Sequence, residues 1–472
     1  ESAVAMAHGY AKVAGRPLGV MLHSNVGLLH ASMAIFNAWC DRVPMLIYGA
    51  TGPMDAHARR PYVDWQHTVA DQAALVRPFI KWDNQPGSLP AAFEAMLRAR
   101  QITLTAPQAP TYVVFDAALQ EQKVEGEVKL PPLERFAPPK PAHPSPEVLR
   151  EVMALLTQAK RPLILAGRGS RDHKAWDNRI ALAELLNARV LTSLRTPAAF
   201  PSSHPLHVNT PIKFVNEATI RAVAESDVIL SLDWVELAGL LRQVWNTGDA
   251  DDVAAKVIQV SVDVQVHNGF GMEHLGLPPA DVNVLAEPDA FTGALVSELM
   301  KTRERRRVNG YASRSMNKPS SNGGIGVRAL AHAVNDAAAR QDTCLIRLNL
   351  GWPADMTVYN HPLDYLGGDG GGGIGAGPGM TVGAALALRG TPRLPLAVLG
   401  DGDFIMGVSA LWTATHYQIP LMMVVANNRS FFNDEMHQER IARQRGRPVE
   451  NKWIGQRMSG PDIEIATLAR AQ

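Results

Sequence analysis

At 472 residues the chain is too long for one hydrophobic core, so two to four domains are expected. Apolar residues make up 46% and charged residues 19%, an ordinary globular composition, and no uninterrupted apolar stretch is long enough to span a bilayer. A formal net charge of +1 argues against a nucleic-acid binder, and the two cysteines, Cys40 and Cys344, indicate neither a disulfide framework nor a zinc site and fit a reducing, cytoplasmic setting.

In chain order, helical patterns over 3–13, 28–40 and 91–98 alternate with short apolar strands over 18–22, 44–47 and 111–115 in a first block, 1–122. Seven prolines between Pro131 and Pro146 cannot sit inside a helix or a central strand, so 123–146 reads as a semi-extended linker. A second block, 147–300, carries strands over 162–166, 190–192, 228–232 and 257–260. A basic, turn-rich linker over 301–325 follows, and a third block, 326–472, opens with a helical pattern over 327–339. Alternating strands and helices imply α/β domains, each a doubly wound parallel sheet covered on both faces. The chain opens inside a helical pattern and stops just after another, so it reads as trimmed at both ends.

Chemistry-bearing residues fall in the loops. In the first block, Leu22-His23-Ser24-Asn25-Val26-Gly27 follows a strand, where α/β proteins keep functional groups, and His67 sits in Asp64-Trp65-Gln66-His67-Thr68; an imidazole there can move protons near neutral pH. His30, among Leu28, Leu29 and Met33, reads as a packed histidine. In the middle block Leu163 to Ser170 is a strand running into Gly167-Arg168-Gly169. It lacks the third glycine of a dinucleotide fingerprint but leaves Arg168 and Ser170 able to meet phosphate.

The third block carries the strongest signal. A glycine-dense run from Gly367 to Gly379 leads straight into an apolar helix pattern over 382–388, which favours a cradle for a ligand over a flexible linker. Strand 394–399 ends at Gly400-Asp401-Gly402, 404–417 reads as loop and helix, and strand 420–426 ends at Asn427-Asn428. A strand–helix–strand crossover sets Asp401 and Asn428 at neighbouring carboxyl ends. A carboxylate and an amide oxygen there suit a hard cation such as Mg²⁺, and a following helix N-terminus suits a diphosphate.

Gly400-Asp401-Gly402 with Asn427-Asn428 resembles the signature of thiamine-diphosphate enzymes of the acetolactate synthase, pyruvate decarboxylase and benzoylformate decarboxylase group, and the three-block order matches that group's pyrimidine-binding, central and diphosphate-binding domains. The resemblance implies that Asp401, Asn428 and the Ser430 carbonyl hold Mg²⁺. It also implies that Gly375, Ala376, Gly377, Met380, Gly400, Gly402, Asp403, Phe404 and Asn433 border the cofactor. Ser2 to Lys12 resembles the helix that follows the group's catalytic glutamate; by spacing from Tyr10 that base falls one residue before Glu1, with Glu1 as the alternative. His23, Asn25 and His67 are expected to face substrate. Relatives prop the cofactor with a large apolar side chain; here Ala376 is the match, leaving room for a bulky acceptor, with Ile374 the alternative.

The implied reaction breaks or forms a carbon–carbon bond beside the carbonyl of a 2-oxo acid or aldehyde, in a dimer or tetramer whose site spans two subunits. Two alternatives stay open: a 2-hydroxyacyl-CoA lyase and a non-catalytic homologue. Leu232-Asp233-Trp234-Val235-Glu236 departs from the run that flavin-bearing relatives carry, which argues against FAD, while ADP or CoA stays open.

Overall fold

The computed structural model describes residues 1–208, 210–245, 253–263, 276–308, 310 and 325–472, so the turn-rich stretch 317–324 lies outside the described residues. The first block holds β1 (Gly19–Leu22), β2 (Met45–Thr51), β3 (Trp82–Asn84) and β4 (Pro110–Asp116) in the order β1-β2-β4-β3. The middle block holds β5 (Pro162–Ala166), β6 (Arg189–Thr192), β7 (Val228–Leu232), β8 (Lys256–Val260) and β9 (Val282–Val284) in the order β6-β5-β7-β8-β9. The third holds β10 (Thr343–Arg347), β11 (Leu394–Gly400) and β12 (Met422–Ala426) in that order. Every pairing among them is parallel.

Each strand expected from the sequence is found. The three that were not anticipated are β3, β9 and β10; the first two are three residues long, and β10 ends in an arginine. Central strands β5 and β7 are buried along their whole length, as a sheet covered on both faces requires. Coverage fails at the edges. β1 alternates exposed and buried residues, and β12 is nowhere fully buried.

Helix starts follow local chemistry. Ser88, Ser145, Asp172 and Asn216 each accept a backbone N–H in the first turn of the helix that follows, and Pro146 occupies the first turn after Ser145, where no N–H is needed. Ser145 thereby ends the exposed proline-rich segment. The basic stretch after Lys301 does more than solvate. Arg303 donates to the Thr157 carbonyl at 2.9 Å, and Arg305 pairs with buried Glu184, which also accepts the Val308 N–H at 2.9 Å. Burial pushes the Glu184 carboxyl up, but the Val308 N–H, Arg305 and His204 outweigh it and hold it below the usual range.

The third sheet is shared between two cores. On β10, Cys344 and Ile346 face a core built mostly from the first block, and Leu345 joins the middle block's core with Leu396 and Val398 of β11. Helix Ser2–Ala14 crosses helix Gly377–Ala387 at backbone contact. A Cβ on Gly9 would stand 2.0 Å from the Met380 carbonyl oxygen, and one on Gly383 would stand 1.8 Å from that of Met6. Both cysteines are free and buried, and among the described residues no helix is long and apolar enough to cross a membrane.

Gly383→Val should force the two helices apart and lower unfolding free energy by about 1–3 kcal/mol. Gly87→Ala, at a glycine with open space around it, should leave the urea midpoint nearly unchanged. Equal midpoints for the two variants would show that the close approach carries no weight.

Candidate active site

β11 and β12 run in register with Gly400 beside Ala426, so the chain leaves the sheet at adjacent points, into Asp401 on one side and Asn427-Asn428 on the other. The expected loop and helix over 404–417 are two helices, Asp401–Gly407 and Ala410–His416. The first begins at Asp401 itself because Gly400 is extended and Asp401 and Asp403 place carboxylates in the first turn, where the helix dipole favours them.

Asp401 is 3% exposed. Its Oδ1 accepts the Gly402 N–H at 3.0 Å, while Oδ2 is buried without a hydrogen-bond partner. A buried carboxylate oxygen lacking a donor is costly, and a bound cation is the species that relieves it. Across the seam, Asn428 Oδ1 accepts from the Ser430 N–H at 3.1 Å and Asn427 Oδ1 from the Arg429 N–H at 3.2 Å. Arg429 takes a left-handed φ of 57° to make these consecutive turns. The Phe431 ring closes the gap, since a Cβ on Gly402 would stand 2.5 Å from it. Phe431, directly after the Asn428–Ser430 loop, therefore lies against the Asp401 turn. Among the described residues no three His, Cys, Asp or Glu side chains cluster, so an ion here would rest on one carboxylate, an amide, a backbone carbonyl and oxygens from outside the protein, a donor set that suits Mg²⁺.

Ser430 is buried, and its hydroxyl donates to Glu435, which is buried too, so Glu435 braces the loop from beneath. Asn433 is exposed in the first turn of helix Phe432–Gln444, and His437 pairs with Arg440 at 2.9 Å. Three residues expected to border the cofactor are buried in hydrophobic cores. Ala376 and Met380 lie in the core shared by the first and third blocks, and Phe404 packs with Ala397 and Leu399. Helical periodicity turns each toward a neighbouring element.

The glycine run divides in two. Gly371 and Gly373 lie against Met33, with Asn37 also touching Gly371, so here the glycines serve the approach of helix Ser24–Cys40. Gly375, at φ 103°, opens the turn into helix Gly377–Ala387. Asp403 Oδ1 accepts the N–H of Gly375 at 2.7 Å and of Gly377 at 3.2 Å, and its Oδ2 pairs with Arg347 Nε at 2.6 Å. Arg347 also holds Asp369 at 2.7 Å. Burial pushes the Asp369 carboxyl up against the opposing pull of Arg347. Nearby, Lys12 bridges Asp41 at 2.7 Å and the Gly368 carbonyl, and His8 meets the same Asp41 at 2.9 Å; burial keeps the His8 imidazole below its ordinary pKa.

Sequence reasoning missed Arg347, Asp369, His8, Lys12 and Asp41. One signal was available: an arginine closing an apolar strand, Cys344-Leu345-Ile346-Arg347, must find a carboxylate when buried.

Glu1 precedes helix Ser2–Ala14, and a Cβ on Gly375 would stand 3.6 Å from its Oε1, so the first block's helix start meets the third block's glycine turn within one chain. The position one residue before Glu1 precedes the chain described here. The three first-block candidates converge. The His23 and His67 rings stand 5.0 Å apart edge to face, and Asn25 Nδ2 donates to the Gln66 carbonyl at 3.3 Å. His67 Nδ1 lies 3.1 Å from the Val63 carbonyl, which can only accept, so neutral His67 carries its proton on Nδ1 and leaves the lone pair on Nε2. Ser24 holds a left-handed φ of 44° at this turn.

In the middle block, Arg168 faces Asp233 and Asp263, and the Ser170 N–H donates to Asp289 at 2.8 Å, so both phosphate candidates are engaged by carboxylates. An open cleft of about 830 Å³ runs between β12 and helix Ile465–Arg470 with Asn427 and Arg429 on its wall. Neither Asp401 nor the glycine turn lines it, so the donor geometry marks the site better than empty volume does.

Models of one family match in three places: the N-terminal TPP binding domain of thiamine pyrophosphate enzymes over 1–75, the central domain over 149–276 and the C-terminal TPP binding domain over 349–472. Benzoylformate decarboxylase of Pseudomonas aeruginosa is 23% identical over 463 residues, covering 91% of this chain and 77% of the relative. The acetolactate synthase large subunit of Haemophilus influenzae is 24% identical over 450 residues, covering 91% and 74%. Among solved structures, benzoylformate decarboxylase from Polynucleobacter necessarius aligns with a TM-score of 0.75 at 20% identity, over 100% of this chain and 83% of that one. The thiamine diphosphate-dependent 4-hydroxybenzoylformate decarboxylase of Rhodococcus jostii aligns at 0.73 and 19% identity, over 100% and 84%. Three domain models of a single family, met in turn by three parallel sheets, admit one conclusion: the chain belongs to the thiamine pyrophosphate enzymes.

Proposed function

We propose that the chain is a thiamine-diphosphate- and Mg²⁺-dependent lyase or carboligase that acts on the carbon–carbon bond beside the carbonyl of a 2-oxo acid. The observation that carries the reading is the unpartnered, buried Oδ2 of Asp401 at the strand end next to Asn428. Asp401, Asn428 and the Ser430 carbonyl would hold the ion, which in turn fixes the diphosphate. When bound, the cofactor supplies the electron sink that cleavage beside a carbonyl requires.

The protein's own groups then have separate tasks. Glu1, or the residue before it, would act on the pyrimidine ring, a role supported by the nearness of Glu1 to the glycine turn, with Ile374, half-buried in that turn, as the apolar prop. His67 Nε2 takes or returns a proton at the substrate, His23 shares that space, and Asn25 braces the loop. Met21 is 87% and Trp65 69% exposed beside the two histidines, which supports a site closed by a second copy of the chain. Cleavage of 2-hydroxyacyl-CoA has weaker support, because Arg168 and Ser170 already face carboxylates.

Asp401→Ala should weaken thiamine diphosphate binding, measured by calorimetry at fixed Mg²⁺, by more than about 100-fold; unchanged affinity would remove the basis of the reading. With a panel of 2-oxo acids that includes pyruvate and aryl-substituted members, the wild type should release carbon dioxide from at least one. His67→Asn should then lower kcat by about 10²- to 10⁴-fold with cofactor affinity intact. A full-activity His67→Asn enzyme would take His67 out of the proton path.

A further inference from the structure

The charged cluster beneath the glycine turn is not explained by the ion or by the histidines. Residues 369–377 include Gly370, Gly371, Gly372, Gly373, Gly375 and Gly377, a chain whose backbone freedom must be removed before it can present anything in a fixed pose. Contact with helix Ser24–Cys40 restrains its middle. Its two ends are restrained by charge. Arg347 Nη1 holds Asp369, where the run begins, and Arg347 Nε holds Asp403, whose other oxygen takes the amides of Gly375 and Gly377, where the run ends.

We propose that Arg347 is a positioning residue: one guanidinium pins both ends of the glycine loop, through Asp369 at one end and through Asp403 at the other, and so sets the pose in which the loop receives the cofactor. The inference rests on the function proposed above for its cofactor arm only. It also reassigns two glycines. The amides of Gly375 and Gly377 are engaged by Asp403, so these residues shape the turn and do not supply donors to the diphosphate.

All three charged groups are at most 10% exposed on their side chains. Buried ion networks add little to stability on balance, and removing one member leaves a charge stranded. Burial pressure alone would be met by apolar residues. Arg347 meets the two carboxylates as ion pairs from separate nitrogens, Nη1 and Nε, a spread of charge that Lys, with its single compact ammonium, cannot reproduce.

The test uses the full chain, free of cofactor and then titrated with thiamine diphosphate at fixed Mg²⁺. Arg347→Lys and Asp369→Asn are compared with Arg305→Lys, which perturbs an ion pair in the middle block. Amide hydrogen exchange over 369–377 in the cofactor-free protein should speed up at least tenfold in Arg347→Lys and Asp369→Asn. Thiamine diphosphate Kd should rise at least tenfold in both, and the control should change neither quantity. Arg347→Met is the harsher variant; should it fail to fold, the near-isosteric Asp369→Asn still reports. Wild-type exchange over 369–377 in Arg347→Lys and Asp369→Asn would overturn the proposal, as would acceleration spread evenly over the chain. A wild type that binds no thiamine diphosphate would sink the proposed function, while the exchange arm would still decide the role of Arg347.

Discussion

Helices Ser2–Ala14 and Gly377–Ala387 cross with Gly9 against the Met380 carbonyl and Gly383 against that of Met6, and this contact fixes where the two helix starts stand. One start carries Glu1 and the other follows the glycine turn at Gly375. Backbone in contact with backbone leaves no side chain that could yield, so the separation of the two helices is set rigidly. Everything contributed jointly by the first and third blocks depends on that separation. The third sheet adds to the constraint, because its two faces belong to the cores of the first and middle blocks and neither can shift alone.

Two carboxylates on one helical turn have opposite roles because their surroundings differ. Asp403 gives one oxygen to the amides of Gly375 and Gly377 and the other to Arg347, so both oxygens are engaged within the protein. Asp401, two residues earlier, receives only the adjacent Gly402 N–H and keeps an oxygen unpartnered in a buried place. In the function we propose, this difference leaves Asp401 to meet the ion and Asp403 to hold the turn.

Strand order along the chain and the convergence of Asp401 with Asn428 were legible because both follow from period and crossover geometry: 394–399 and 420–426 are continuous apolar runs, and parallel neighbours end together. The pairing of His23 with His67 was not legible, since it depends on how the loop after β2 folds back onto the start of helix Ser24–Cys40. Arg347 was overlooked for another reason: its partners, Asp369 and Asp403, sit in segments read for glycine and for metal chemistry. Glycine density itself was ambiguous. At Gly371 and Gly373 it reports the nearness of Met33, and only at Gly375 does it report a turn that needs a positive φ.

The same distinction bears on the width of the substrate space. Read from the sequence, a small residue at Ala376 promised room for a bulky acceptor beside the cofactor. Ala376 is buried in the core beneath the helix crossing, where its size answers to the packing of helix Ser2–Ala14. Ile374 is half-buried at the turn, so it is the apolar side chain with a surface to offer. In the function we propose, the wall that sets room for substrate is the segment that carries Trp65 and His67. That wall is held at its base by Asp64, which accepts from both the backbone and the guanidinium of Arg60. Our proposal thus puts specificity in a first-block loop anchored by one ion pair.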